Sequence, residues 1–404
     1  MTPRRFMLIA GEPSGDMLAA ELVTQLKSTI SRQSSYATDV QPLRADLAPR
    51  FFGAGGPRMM GAGVELAFDM TQHSVIGLTD VLKNALKFRR LFQQLFHVAL
   101  ERQPHAIICV DFFGFNGRFA NYVMNYIREQ EGTFNNWHPK IIQFVSPQVW
   151  ASREGRADKM ARNFDLLLSI FPFEKDWYAA RLPKFPVEFV GHPMIDRYRL
   201  SPEFTPKSDP PGVPPGPLIL LLPGSRPAEL ERHLPVMFGA VRILRRTVPD
   251  ARIRLVVPLP ELVDQAAGFL PPPDLETRCG GLAESLSEAT LALASTGTVT
   301  MECAYFGVPA VTLYKTSLFN YQVAKRIVKV KWLTMPNILA DAPLYPEFIQ
   351  GAASAENIAR AALDLLKDAA RREKVRARLG EIVSTLGGPG AACRAAEAIM
   401  KVVG

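Results

Sequence analysis

At 404 residues, 48% hydrophobic and 21% charged, the chain is too long for one ordinary core and too apolar for a disordered segment, which predicts two globular domains. Four cysteines (Cys109, Cys279, Cys303, Cys393) stand far apart with no C-x-x-C, and the six histidines are as scattered, which argues against a disulfide framework and against structural zinc. A net charge of +8 and a pI near 9.3 ask for an anionic partner (nucleic acid, a phosphorylated substrate or an anionic bilayer), or else only keep the surface soluble.

The first apolar run, FMLIA (6–10), is a strand candidate. It is too short for a signal-peptide core, and no stretch approaches the ~20 apolar residues of a membrane span, so a cytoplasmic chain with reduced thiols is expected. GEPSGD (11–16) follows and opens a helix at Met17. Glycines allow a tight turn there, and a helix start offers N–H groups to an anion or polar ligand. Equally, any first strand-to-helix turn favours Gly11 and Gly15, and Asp16 suits the helix dipole. The loop lacks the G-K-[ST] of a P-loop, and in GAGGPR (53–58) Arg58 stands where a dinucleotide fingerprint needs its third glycine.

Further along, LKNALKFRRLFQQLF (82–96) sets Lys83, Lys87, Arg89 and Arg90 among Leu and Phe. AIICV (106–110) reads as the next strand, with Asp111 directly after it and Asn116 in the same loop. A carboxylate at a strand's carboxyl end can take the proton of an attacking hydroxyl. Capping of the next helix accounts for the spacing equally well. IIQFV (141–145) and LLLSIF (166–171) run into S-P-x-V-W and F-P-F-E-K turns, and VEFVG (187–191) closes the first half. Aromatic, proline and charged residues at strand exits are costly for a plain scaffold, and they suit the rim where open α/β sheets bind ligands. Near-continuous apolar runs predict strands buried on both faces of a parallel sheet.

Residues 202–217 hold seven of the 33 prolines, which predicts a linker over 201–217. Strands then restart as LILLL (218–222), IRLVVP (253–258), LALAS (291–295) and AVTLY (310–314). After the first of these, Gly224 and Ser225 let a diphosphate approach the backbone, and Arg226 is a bidentate donor or an ordinary surface arginine. STGTVTME (295–302) offers hydroxyls and N–H groups to a pyrophosphate around Gly297 and Thr298, with the acid Glu302 one turn on; simple helix capping explains the same run. Residues 303–340 contain no acid but hold Lys315, Lys325, Arg326, Lys329 and Lys331 among Phe319, Tyr321, Ile327, Val328, Val330 and Trp332. At helical spacing such a mixture can rest on an anionic bilayer, each charge adding about 1 kcal/mol, or be a helix with one solvated basic face. Residues 353–402 have helical spacing, broken by Gly-Gly-Pro-Gly at 387–390.

In this order GEPSGD (11–16), the segment 143–178, VGHPMID (190–196), LLPGSR (221–226) and MPNILA (335–340) resemble lipid-A-disaccharide synthase, a membrane-associated glycosyltransferase family of Gram-negative lipid A assembly. The resemblance implies the glycosyltransferase B (GT-B) architecture: α/β, two Rossmann-like doubly wound domains with C-terminal helices. Residues 1–200 become the acceptor-side domain, 218–350 the UDP-sugar domain, and 351–404 helices packing back across the domains or onto a partner. It implies a catalytic Asp111 and acceptor-side residues Gly11, Glu12, Ser14, Gly15, Asp16, Asn116, Ser146 and His192; Glu12, Asp16 and His192 are second choices for the base, since each also suits a structural role. Donor contacts fall to Gly224, Ser225, Arg226, Gly297, Thr298, Glu302 and Asn337, and membrane contacts to Lys87, Arg89, Arg90, Lys325, Arg326, Lys329 and Lys331. Two departures stand out. The family's D-A-P-D-F-N reads here as Asp111-Phe112-Phe113-Gly114-Phe115-Asn116, so a role of the second acid does not transfer, and Thr296 is one residue extra beside the family's A-S-G-T.

The implied reaction joins UDP-2,3-diacylglucosamine to 2,3-diacylglucosamine 1-phosphate (lipid X) with inversion, at the inner face of the cytoplasmic membrane. No cofactor is expected, and the absence of any D-x-D predicts no metal, leaving Arg226 and a helix N-terminus to neutralise the diphosphate. A UDP-N-acetylglucosamine 2-epimerase or a peptidoglycan-type N-acetylglucosaminyltransferase would share the fold but needs no acyl-binding surface. A non-catalytic nucleic-acid-binding protein would carry recognised basic-aromatic signatures, and none is present. A homodimer is left open by the sequence.

Overall fold

The computed structural model describes residues 3–37, 48–71, 85–132, 136–199 and 216–404. Lys83 and nearly all of the proline-rich stretch (201–215) lie outside the described residues, and so does the side chain of Lys87. The chain divides into two compact units, Met1–Asp196 with Leu386–Gly404, and Arg197–Thr385.

In the first unit β1 (Arg5–Ala10), β2 (Arg50–Gly55), β3 (Glu65–Asp69), β4 (Ala106–Val110), β5 (Lys140–Phe144), β6 (Leu166–Ser169) and β7 (Val187–Phe189) form a parallel sheet in the order β3-β2-β1-β4-β5-β6-β7. The continuous apolar runs follow from burial on both faces. Along β1, Met7 and Ile9 enter one core with Phe115, Phe119 and Val123 of the helix Phe113–Glu129. Phe6, Leu8 and Ala10 enter the other, with Leu22 and Leu26 of the helix Pro13–Ala37. The second unit repeats the plan with β8 (Leu218–Leu222), β9 (Arg252–Val257), β10 (Leu275–Cys279), β11 (Leu291–Ser295), β12 (Ala310–Tyr314) and β13 (Glu347–Ile349), parallel in the order β10-β9-β8-β11-β12-β13.

The C-terminal helices, grouped by sequence as one segment over 351–404, separate between the two units. The helices Ala355–Lys367 and Ala369–Thr385 cover opposite faces of the second sheet through Ile358 and Leu365, and Val375 and Leu379. The helix Ala391–Val403 instead buries Ala395, Ala396, Ile399 and Met400 in the first unit, beside Leu22 and Leu26. Asp196 accepts the N–H groups of Gly390 and Ala391, and Arg394 donates to the Val190 carbonyl at 2.7 Å. The first unit therefore ends at Asp196 rather than residue 200 and regains the chain at Leu386, because this last apolar face is complementary to its sheet. Among the described residues no helix is long and apolar enough to cross a membrane.

Candidate active site

Each sheet has one point where the strand order reverses, between β1 and β4 in the first and between β8 and β11 in the second. Open α/β sheets bind ligands outside the carboxyl ends of the strands at such points. The loops singled out in the sequence are those that leave these four strands: 11–16 after β1, 111–116 after β4, 223–226 after β8 and 296–302 after β11.

In the first unit the loops interlock. A Cβ at Gly11 would lie 2.2 Å from the Phe112 ring, so only glycine lets that ring close over the turn, and a Cβ at Gly15 would sit 3.8 Å from the Asp111 Cβ. Asp111 and Phe112 both adopt left-handed backbone (φ 49° and 43°), as does Val145 at the end of the neighbouring β5 (φ 71°). Non-glycine residues are seldom held there unless their surroundings enforce it. Two buried amides do so. Asn116 Nδ2 donates to the carbonyls of Asp111 (2.8 Å), Ile9 and Val110 (3.4 Å each), and Gln143 Nε2 donates to those of Asp111 (3.1 Å), Val145 (3.2 Å) and Phe144 (3.3 Å). Asn116 is therefore a brace for the backbone under Asp111. Burial holds the Asp111 carboxyl above the usual aspartate range, opposed by the Phe112 N–H.

The other residues expected on the acceptor side have mixed placements. Asp16 is buried and accepts N–H bonds from Gly56 (2.8 Å), Arg58 (3.0 Å) and Met59 (3.0 Å), fastening the start of the helix Pro57–Gly61. Its oxygens are spent on structure. Ser14 is exposed and Glu12 half-buried, both beside Gly11. The buried His192 accepts the Met194 N–H at Nδ1 (3.2 Å) and packs on Phe171. The buried Ser146 lies in a cluster that sequence reasoning left without a role. Glu174, fully buried at the start of the helix Pro172–Arg181, accepts from Trp150 Nε1 at 3.0 Å and from the Phe171 N–H at 3.4 Å. Burial pushes its carboxyl up to about 7, against hydrogen bonds from Trp150 and Ser146.

In the second unit Gly224 has φ 124°, and a Cβ there would strike Glu229 Oε2 at 2.2 Å. That oxygen accepts the N–H groups of Ser225 (3.0 Å) and Arg226 (3.3 Å). The two N–H groups are thus already occupied by a carboxylate, while the Arg226 side chain is exposed. Behind the loop, buried His233 bridges the Pro223 carbonyl at Nδ1 (2.6 Å) and the Lys315 N–H at Nε2 (3.1 Å). Burial lowers its pKa, so the ring is neutral, with Nδ1 donating and Nε2 accepting. Gly297 and Thr298 are exposed at the start of the helix Thr298–Tyr305, with Gly297 at φ 145°. Glu302 accepts from the Tyr198 hydroxyl at 2.6 Å and pairs with Arg197 at 3.7 Å. Burial raises its pKa, and Tyr198 and Arg197 oppose the rise.

The Asn337 side chain, expected at the donor, is engaged within its own loop. Its amide donates to the Tyr345 carbonyl and to Glu347 (2.8 Å each) and accepts the Tyr345 N–H (2.8 Å), which commits it to holding its own loop. Of the basic residues, Arg89, Arg90, Lys325, Arg326, Lys329 and Lys331 are exposed. The helix Leu318–Ile327 carries only Lys325 and Arg326, so the predicted helical spacing does not extend to Lys329 and Lys331. It buries no residue, and its Leu318 and Phe319 are each 77% exposed.

The family model described as Lipid-A-disaccharide synthetase matches residues 6–403. A lipid-A-disaccharide synthase of Trichlorobacter lovleyi is 36% identical over 406 residues, 99% of this chain and 98% of its own. Among solved structures, the glycotransferase of kitacinnamycin (TM-score 0.63, 17% identity, 100% of both chains) and a Listeria monocytogenes putative UDP-N-acetylglucosamine 2-epimerase (TM-score 0.60, 16% identity, 100% of this chain and 97% of that one) share the fold. The expected GT-B architecture is therefore present, and it carries more than one chemistry.

Proposed function

The chain belongs to the lipid-A-disaccharide synthase family, and from that premise we propose how this glycosyltransferase works. The donor is UDP-2,3-diacylglucosamine and the acceptor 2,3-diacylglucosamine 1-phosphate. The acceptor 6-hydroxyl attacks the donor anomeric carbon while the bond from that carbon to the UDP oxygen breaks. The hydroxyl proton passes to Asp111, UDP leaves, and a single displacement inverts the centre to a β-1,6 linkage. A buried carboxylate with a raised pKa is suited to that proton. On the donor side, the Arg226 guanidinium and the first turn after Gly297 meet the diphosphate and Glu302 meets the ribose. With the Ser225 and Arg226 N–H groups taken by Glu229, the charge of the Arg226 side chain is what this loop offers a phosphate.

One observation supports the reading: Asp111, on strained and braced backbone, follows β4 at one switch point, and the segments that carry Arg226 and Glu302 follow β8 and β11 at the other. The substrates are acylated, so we place the reaction at the cytoplasmic face of the inner membrane, with exposed Leu318, Phe319, Lys325 and Arg326 toward the bilayer. Asp111→Asn is expected to abolish UDP release from the two acylated sugars while UDP affinity survives. A near-normal rate in that variant would remove Asp111 from the mechanism.

A further inference from the structure

Three arginines gather near the carboxyl ends of β4 and β5, the edge that also presents Asp111. Arg118 lies on the helix Phe113–Glu129, which begins two residues after Asp111. Arg153 ends the helix Val149–Ser152, and Arg156 opens the helix Arg156–Asn163. The arrangement is fixed by main-chain and amide bonds. The Arg156 N–H donates to the Arg153 carbonyl at 2.9 Å, and Asn163 Nδ2 donates to Asn121 Oδ1 at 3.2 Å, tying the two longer helices together. Arg128 adds a bond to the Arg162 carbonyl at 2.9 Å. All three side chains are exposed, and none takes part in an ion pair among the described residues. The Arg156 guanidinium is held below its ordinary pKa, first by partial burial and then by the charges of Arg153 and Arg118.

Like charges brought together from three elements repel one another, and nothing in the core requires them there. An anion with several oxygens relieves that repulsion, and the planar guanidinium fork matches it. We infer that Arg118, Arg153 and Arg156 form a phosphate-monoester site that receives the phosphate of the acceptor sugar. The inference rests on the proposed reaction and assigns to it the group that orients the acceptor over Asp111. An acceptor held at its phosphate and reacting at its far hydroxyl is fixed at both ends, which is how a positioned nucleophile gains rate.

The test is a cycle on the full chain between wild type and the variants Arg118→Gln, Arg153→Gln and Arg156→Gln, using acceptors with and without the phosphate. UDP release is followed, and calorimetric UDP affinity serves as the folding control. Wild type should lose at least about ten- to a hundredfold in kcat/KM when the phosphate is removed, the range of a single charged hydrogen bond. The variants should lose as much on the phosphorylated acceptor and little more on the bare one. Equal losses on both acceptors, or phosphate discrimination undiminished in all three variants, would overturn the site. Sedimentation with phosphatidylglycerol vesicles separates the other source of phosphate. If the variants lose vesicle binding yet keep discrimination, the cluster reads lipid headgroups and the inference fails. No UDP release by wild type from either acceptor would sink the proposed reaction itself, a result distinct from all of these.

Discussion

Asp111 and Phe112 lie on left-handed backbone, at a cost on the order of 1–3 kcal/mol each. The structure sustains this because Asn116 and Gln143 tie down the surrounding carbonyls. Gln143 was visible in the sequence as a lone amide inside IIQFV, but its partners come from β4 and from the end of β5, which no local pattern reveals. Gln143→Leu keeps the volume and leaves those carbonyls short of a donor, at about 1–3 kcal/mol of stability. Its kcat should fall while KM for the UDP-sugar holds. Lowered stability with an unchanged kcat would make Gln143 merely structural. The proposed role of Asp111 as the base also fixes the sign of a pH effect. Because burial raises its pKa, kcat/KM should decline on acidification through a pH above the ~3.9 of a free aspartate. An acid limb at the free value, or one that persists in Asp111→Asn, would assign the proton to another group.

The elements show which signals a sequence carries. Central strands such as β1, β4, β8 and β11 were legible because burial on both faces leaves only apolar residues. Of the four edge strands β3, β10 and β13 were not, since exposure removes the apolar run, whereas β7 was legible within VEFVG. β2 was obscured by glycines: a Cβ at Gly53 would lie 1.9 Å from the Leu8 carbonyl oxygen. The loops were found by composition, yet their contents sorted differently, with Asp16 and Asn337 turning inward to structure and Arg226 staying exposed. Loss of a charged hydrogen bond to phosphate or ribose costs roughly 1.5–3 kcal/mol. Arg226→Ala and Glu302→Ala should each weaken UDP binding about ten- to a hundredfold in calorimetry, and unchanged affinity in both would refute the donor assignment. Glu174 adds a stability signature to the F-P-F-E-K turn. Folded, it keeps its proton to about pH 7; unfolded, it ionises near 4.5. The folded state therefore binds more protons in that window, so stability should fall as pH rises from about 4.5 to about 7 and then level off, by about 3 kcal/mol at most. Glu174→Gln should flatten this part of the urea-unfolding profile. An identical slope in the variant would assign it to other groups.

At the scale of the whole molecule, the net charge of +8 is unevenly useful. The acid-free stretch 303–340 gives it a direction, and the structure changes how that stretch is read. An ordinary amphipathic helix would bury its apolar face, whereas the helix Leu318–Ile327 buries nothing and presents Leu318 and Phe319 outward beside Lys325 and Arg326. Lys331 continues the surface beyond the helix, above the Trp332 ring at 5.0 Å. An apolar tip flanked by cations is what an anionic bilayer surface holds by two separable forces. Replacing Lys325, Arg326, Lys329 and Lys331 with Gln should cost vesicle binding about 1 kcal/mol per charge at low ionic strength. That loss should shrink in salt, because exposed charges are screened within ~10 Å at 0.1 M. Leu318→Ser with Phe319→Ser should instead weaken binding by an amount that salt does not reduce, since burial of apolar surface is not screened. In both sets of variants, turnover of detergent-dispersed substrate should change far less than turnover of substrate in vesicles. Unaltered binding to phosphatidylglycerol vesicles in both would return the stretch to a solvated basic surface.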